Sequence, residues 1–305
     1  MVDAAASLLF ALASAFGRLP WPWLRAVGDA IGWASVRLDA REAAVARRNL
    51  ELAYPELLPQ QREALQRAVM RTTGRQALET LRLWTRPHAE NLGLIREVHG
   101  GALFDDAIAS GDGVIVAAPH YGNWELLNQW LASRTPLAIL YRPPESRVGE
   151  AFLRRVRADA GDRVTQVRAV GPGIRQLFKV LRAGGVVGIL PDQQPKAGDG
   201  GFAPFFGVQA LTMTLVGRLA GRSGARVLFA YCERIDQDLG FALRIDAAPD
   251  GIGSADEATA LAALNAGVER VARRDPAQYQ WTYKRFKARP ADDPLRNPYR
   301  ELEQR

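Results

Sequence analysis

Apolar positions follow two regimes along this chain, with the change near residue 100. Beyond it, short continuous apolar runs at 114–118, 137–141, 186–190 and 227–231 alternate with stretches of helical spacing around 124–133, 149–158, 174–182 and 211–222. Apolar runs that do not alternate suit strands buried on both faces, and strands separated by helices close into a parallel sheet. The predicted fold class is therefore α/β, a largely parallel central sheet covered by helices. Residues 241–245 alternate instead and predict an antiparallel strand, while 257–274 predict a long amphipathic helix.

Before residue 100 the pattern is helical. Residues 4–17 form an apolar stretch without charge; as a helix they reach about 21 Å, short of the roughly 30 Å bilayer core. Residues 19–36 stay apolar but are broken by Pro20, Pro22, Arg25 and Asp29, with Trp21, Trp23 and Trp33 suited to the headgroup level. We read 1–38 as an N-terminal helical region that anchors at a membrane interface; ordinary core helices are the alternative reading. Ala13-Ser14-Ala15 resembles a signal-peptidase site, but Asp3 without Lys or Arg before the apolar stretch argues against secretion. A helical lead-in over 39–99 carries Arg67, Arg71 and Arg75 on one basic face, the α/β domain extends to 290, and 291–305 form a charged tail with no core of its own.

Composition narrows the partners. The 40 Lys and Arg against 33 Asp and Glu give +7 and a pI near 9.9, which favours acidic lipid surfaces, phosphorylated substrates, an acidic protein or nucleic acid. Nucleic acid has no zinc finger, RNP-type motif or basic-aromatic repeat to support it. Cys232 is the only cysteine, so an internal disulfide and a cysteine-based metal cluster are excluded; following an apolar run, it reads as a buried structural thiol.

Candidate chemistry centres on GVIVAAPHYGNWE at 113–125. His120 falls in the turn after the first parallel strand, where open α/β sheets place their chemistry, and Glu125 lies in the first turn of the next helix. Of the three histidines, only His120 has a carboxylate at the fifth position onward; His88 has Gly93 there and His99 has Phe104. No G-x-S-x-G elbow, P-loop or H-E-x-x-H motif is present, and Gly171-Pro172-Gly173 lacks both a third glycine and a clear strand-to-helix turn. The nucleophile is then the substrate's own hydroxyl or amine: His120 takes its proton, and Glu125 fixes the ring's tautomer and stabilises the imidazolium. Direct acyl transfer from an activated ester or thioester follows as the reaction class. A histidine that merely caps the helix, in a membrane-associated binding protein, is the non-catalytic alternative. Backbone N–H groups at the helix start after Gly122 are candidate oxyanion donors.

PHYGNWE resembles the signature of the bacterial lipid A biosynthesis late acyltransferases, within the glycerolipid acyltransferase-like superfamily. Further blocks match in order: Arg47-Arg48-Asn49-Leu50, Tyr54-Pro55, Tyr141-Arg142-Pro143, Pro191-Asp192-Gln193, Phe205-Phe206-Gly207 with Thr212, and Gln278-Tyr279-Gln280-Trp281 running into Lys284-Arg285-Phe286-Lys287. The resemblance implies an enzyme on the cytoplasmic face of the bacterial inner membrane. Its donor would be acyl carrier protein, and its acceptor a hydroxyl on a phosphorylated, Kdo-bearing lipid A precursor. His120 and Glu125 would be catalytic, with no metal and no organic cofactor. Related acyltransferases use other lipid acceptors, and the motif does not separate them. Arg142, at a strand end, is a candidate for phosphate or acceptor binding; Asp192, at another, for pairing with an arginine; and Lys284, Arg285 and Lys287 for phosphate contacts.

Overall fold

A computed structural model of the chain describes residues 2–303 apart from 145, 158–162, 170, 197 and 294–295. The predicted last helical residue at 158 and parts of the tail lie outside the described residues. Helices α1 (Val2–Gly17), α2 (Trp21–Arg37), α3 (Arg41–Ala53), α4 (Pro59–Thr85) and α5 (His88–Leu92) come first. Strands and helices then alternate as β1 (Ile95–His99), α6 (Gly101–Ala109), β2 (Val114–Ala117), α7 (Trp124–Arg134), β3 (Leu137–Tyr141), α8 (Arg147–Arg157), β4 (Val164–Arg168), α9 (Gly171–Arg182) and β5 (Val186–Ile189). A hairpin of β6 (Gly200–Phe205) and β7 (Val208–Met213) leads into α10 (Leu215–Ser223), β8 (Arg226–Arg234), β9 (Phe241–Ala247) and α11 (Glu257–Ala272).

Seven strands form one sheet in the order β1-β9-β8-β2-β5-β3-β4. The five from β8 to β4 are parallel; β9 runs antiparallel to β8 and parallel to β1. Because side chains alternate across a strand, β2 sends Ile115 and Ala117 into one core layer and Val114 and Val116 into the other, and all four are fully buried. That is why its sequence reads as unbroken apolar residues.

Several boundaries differ from the sequence expectation. The lead-in is helical only to residue 92, since 95–99 form β1. The helix expected over 211–222 starts at Leu215, because Met213 still pairs with Gly200 across the hairpin. Gly171 does open a helix, α9, shortly after the strand β4. In the tail, Tyr299 is fully buried and donates its hydroxyl to Asn49 Oδ1, so this segment docks on the main core.

The N-terminal helices are tied to the domain on one side only. On α2, Gly28 and Gly32 cross α4 at Gly74, where an added Cβ would lie 2.1 Å from the Gly28 carbonyl oxygen, so the crossing needs glycine. Beside it Arg75 grips Asp29 through Nη2 at 2.8 Å, which removes Arg75 from the basic face expected on α4. Helix α1 rests Ala6, Phe10 and Ala13 against Phe152 and Val156 of α8. The outer faces stay bare: Leu8, Leu12, Trp23 and Trp33 are each between 61% and 69% exposed. Among the described residues no single helix is long and apolar enough to cross a membrane; α1 and α2 form an apolar pair bent by 107°.

Candidate active site

Strand register builds the site. β2 and β5 are neighbours with Ala117 opposite Ile189. Three residues beyond each of these lie His120 and Asp192, so equal overruns of paired strands bring the two side chains together at the carboxyl edge of the sheet. The chain leaves β2 toward β3 and, after the hairpin, leaves β5 toward β8, on opposite sides, and such a parting of connections opens a crevice.

Asp192 grips His120 twice. Its Oδ1 lies 2.7 Å from the ring Nδ1, and its Oδ2 accepts from the His120 backbone N–H at 2.9 Å. Burial alone would raise the Asp192 carboxyl, but the His120 charge and hydrogen bonds prevail and hold it below the usual carboxylate range. The buried Tyr279 adds a neighbouring hydroxyl, and burial together with the Asp192 charge pushes the tyrosine well up. An ionised Asp192 makes Nδ1 the protonated ring nitrogen and leaves Nε2 with its lone pair. Facing Nε2 at 3.3 Å is the Gln193 side-chain amide, which also lies 3.3 Å from Gln280 Oε1. Trp124 packs edge-on against the imidazole, with ring centroids 5.0 Å apart.

The turn between His120 and α7 has little freedom. Gly122 adopts φ +56°, and a Cβ there would stand 1.9 Å from the Cys232 carbonyl oxygen. Its N–H donates to Gln278 O, and that of Asn123 to Cys232 O. Asn123 then caps α7 by accepting from Leu126 N at 3.2 Å. Of the N–H groups at the helix start after Gly122 that the sequence offered as oxyanion donors, that of Asn123 is therefore already committed. Cys232 is buried, and burial pushes its thiol up, as expected for a structural cysteine.

Glu125 is placed differently from the expectation. It is buried in the first turn of α7, and its carboxylate meets the guanidinium of Arg157 on α8. The His120 ring partner is Asp192, and the Glu125 partner is Arg157. Asp192 in turn pairs with histidine and not with an arginine. The fivefold spacing does bring Glu125 into the same helix start, but α7 turns its side chain toward α8.

The remaining candidates separate. Arg142 is exposed just past β3, and its charge reaches Tyr283. Lys284 pairs with Glu303 at 3.1 Å. Arg285 is turned into the core and is only 3% exposed, which removes it from a surface phosphate site. Its amino groups go to Leu211 O, Thr212 Oγ1 and Asn265 Oδ1, and burial lowers it despite the opposing charge of Asp192. Gln193, Tyr279 and Gln280 belong to the site and carried no role in the sequence reading; the equal overruns of β2 and β5 were the signal that would have found the first. Among the described residues, no group of three or more His, Cys, Asp or Glu is placed to hold a metal ion.

Blocks that carry the resemblance also meet in space. Asn49 of α3 donates to the carbonyls of Trp281 and Tyr283, and Tyr54 packs edge-on against both Phe206 and Trp281. Comparison with known proteins agrees along the chain. Residues 2–288 match the family of bacterial lipid A biosynthesis acyltransferases. The lipid A biosynthesis palmitoleoyltransferase of Escherichia coli K12 is 29% identical over 280 residues, covering 90% of this chain and 89% of the relative. The lauroyltransferase of the same organism is 28% identical over 281 residues, covering 92% and 90%. A lipid A biosynthesis acyltransferase of Haemophilus influenzae is 27% identical over 279 residues, covering 89% and 86%.

Proposed function

The chain belongs to the bacterial lipid A biosynthesis acyltransferase family and is an acyltransferase; from that premise we propose that it moves a fatty acyl chain from acyl carrier protein to a hydroxyl of a phosphorylated, Kdo-bearing lipid A precursor. His120 is the general base, Asp192 orients it, and Glu125 with Arg157 positions the first turn of α7 beneath the ring. The observation that carries this reading is the Asp192–His120 Nδ1 contact of 2.7 Å, which leaves Nε2 basic at the open edge of the sheet.

In the reaction the acceptor hydroxyl displaces the Gln193 amide from Nε2 and gives that nitrogen its proton as the oxygen attacks the thioester carbonyl. The ester C–O bond forms, the C–S bond of the tetrahedral intermediate breaks, and the imidazolium returns the proton to the departing thiolate. Asp192 stays ionised and stabilises the imidazolium. No covalent enzyme intermediate is required, and no metal or organic cofactor enters the transfer.

The bare outer faces of α1 and α2 support docking at the cytoplasmic face of the inner membrane, with the exposed Trp23 and Trp33 at headgroup level. The test is incubation of detergent-solubilised protein with acyl carrier protein carrying chains of several lengths and a Kdo-lipid IVA acceptor, followed by mass spectrometry. A gain of one acyl group that disappears in His120→Ala supports the whole reading. Transfer to a different lipid alone would replace the acceptor, and transfer to none would favour a binding protein.

A further inference from the structure

A second feature lies close to the catalytic edge. Arg41, Lys284 and Lys287 line a surface cavity of about 270 Å³ together with Gln194, Tyr283 and Glu42. The cavity adjoins the base: Gln194 follows Gln193, which faces His120 Nε2, and the Gln194 backbone N–H donates to the Tyr283 hydroxyl at 3.0 Å. Arg142 acts on Tyr283 as well, adding a fourth positive charge nearby. In this structure an anion of the chain's own already engages two of the cations. Glu303, in the 3-10 turn Arg300–Glu303, places Oε1 3.1 Å from Lys284 Nζ and 2.7 Å from Lys287 Nζ, and Oε2 accepts from Asn297 Nδ2 at 3.1 Å.

We propose that Arg41, Lys284 and Lys287 form a binding site for the phosphate ester of a lipid headgroup, and that Glu303 is an internal competitor which must leave before the ester is seated. The inference rests on the acyltransferase reading for its substrate and adds to it both a place for the headgroup charge and a device that guards that place. Geometry favours a lipid headgroup over a soluble partner. Arg41 begins α3 three residues after Leu38, which is 78% exposed and ends the bare hairpin of α1 and α2. A lipid held by that surface would present its headgroup to this cavity. The arrangement also suits an anion chemically: hydrogen bonds from Lys287 and Lys284 hold the Glu303 carboxyl down at about 2, so the turn carries full negative charge at any physiological pH. The turn is secured through Tyr299, one residue before it and four before Glu303, so Glu303 can swing away while the tail stays docked.

An internal competitor raises the apparent dissociation constant by the inverse of the fraction in which it is absent. If the turn is seated nine-tenths of the time, the penalty is about tenfold. The test measures glucosamine 1-phosphate and inorganic phosphate binding by titration calorimetry on the full chain, in the wild type, Glu303→Gln and Lys287→Gln. Both positions are solvent-facing, so the variants should keep the wild-type melting temperature. The expected result is that Glu303→Gln binds glucosamine 1-phosphate at least threefold more tightly, that Lys287→Gln binds it more weakly, and that glucosamine without phosphate binds neither. In mixed micelles, Glu303→Gln should lower KM for a phosphorylated glycolipid acceptor by a similar factor, leave kcat and the donor KM unchanged, and have no effect with the dephosphorylated acceptor. Unchanged affinity in Glu303→Gln overturns the competitor. Inorganic phosphate binding as tightly as the sugar phosphate, with no KM change in micelles, overturns the headgroup assignment. If the protein acylates no lipid at all, the acyltransfer reading fails while calorimetry still decides the anion site.

Discussion

Replacing Asp192 by Asn tests the geometry of the site most directly, because the substitution preserves shape and changes only which groups can donate. The carboxylate accepts from His120 Nδ1 and from the His120 backbone N–H, and both are donors. An amide has one oxygen and one NH2. The backbone N–H cannot reverse its polarity, so the amide oxygen stays opposite it and the NH2 turns to Nδ1. Imidazole then keeps its proton on Nε2 and presents no lone pair to the acceptor hydroxyl. The same tautomer error in a Ser-His-Asp triad costs about 10⁴-fold in kcat. Nothing in Asp192→Asn touches the substrate surface, since Asp192 is 4% exposed, so KM for donor and acceptor should stay within about threefold. We expect kcat to fall by roughly 10³ to 10⁴, equivalent to about 4 to 5.5 kcal/mol of barrier. Single-turnover acyl transfer followed by mass spectrometry reads this without interference from product release. Glu125→Gln run in parallel supplies the refutation. If Glu125→Gln removes activity by that factor while Asp192→Asn stays within tenfold of wild type, the ring is oriented by Glu125 during catalysis and the assignment of Asp192 is wrong.

Other expectations follow from the same contacts. The depressed Asp192 carboxyl contributes stability that is complete above its unfolded value of about 3.9 and is lost as pH falls through its lower folded value; in urea melts the advantage of wild type over Asp192→Asn should hold from pH 7 to 5 and narrow below about pH 4, and a constant gap down to pH 3 would contradict it. Gly122→Ala must place a side chain at φ +56° against the Cys232 carbonyl, so a cost of at least about 2 kcal/mol and a melting temperature lower by roughly 4 to 8 °C are expected, with an unchanged melt counting against the turn as described. Trp23→Ser with Trp33→Ser should reduce binding to anionic vesicles at least about tenfold, or about 1.4 kcal/mol, while leaving the fold intact; equal binding would remove the hairpin from the membrane surface.

The central strands were legible because burial on both faces leaves its mark on every residue. β2, β3, β5 and β8 each read as a continuous apolar run, and each was found at its place. Within the seven-stranded sheet, the strands that escaped notice, β1 and β4, are its two edges. Their sequences, IREVH and VTQVR, mix charge with β-branched residues because one side meets solvent, and such segments carry no periodic signal distinct from a loop. The β6–β7 hairpin escaped for a related reason. Within β6, Ala203 and Phe205 are buried with exposed Pro204 between them, in β7 Ala210 and Thr212 alternate with half-buried residues, and Val208–Met213 runs without a break into the apolar start of α10. Where that strand ends is decided by pairing across the hairpin, which no local window contains.

For the site, the limit was of another kind. A motif such as H-x-x-x-x-E measures distance along the chain, and from a histidine in a turn to the second residue of a helix that distance specifies proximity but not direction. Whether Glu125 faces the ring depends on how α7 is rotated, and that rotation is set by the capping of Leu126 N by Asn123, the Gly122 turn against Cys232 and the pull of Arg157 on α8, which lies beyond β3 in sequence. Asp192 is 72 residues from His120, yet its placement follows from only two conditions: β5 must lie next to β2, and both strands must overrun by three residues from the paired Ala117 and Ile189. The second condition is visible in the sequence as Pro-His and Pro-Asp, each closing an apolar run. The first is not, because a sheet with five parallel strands does not announce its order locally. A site assembled from the ends of adjacent parallel strands is therefore readable residue by residue, and its pairings become readable only when strand order is known.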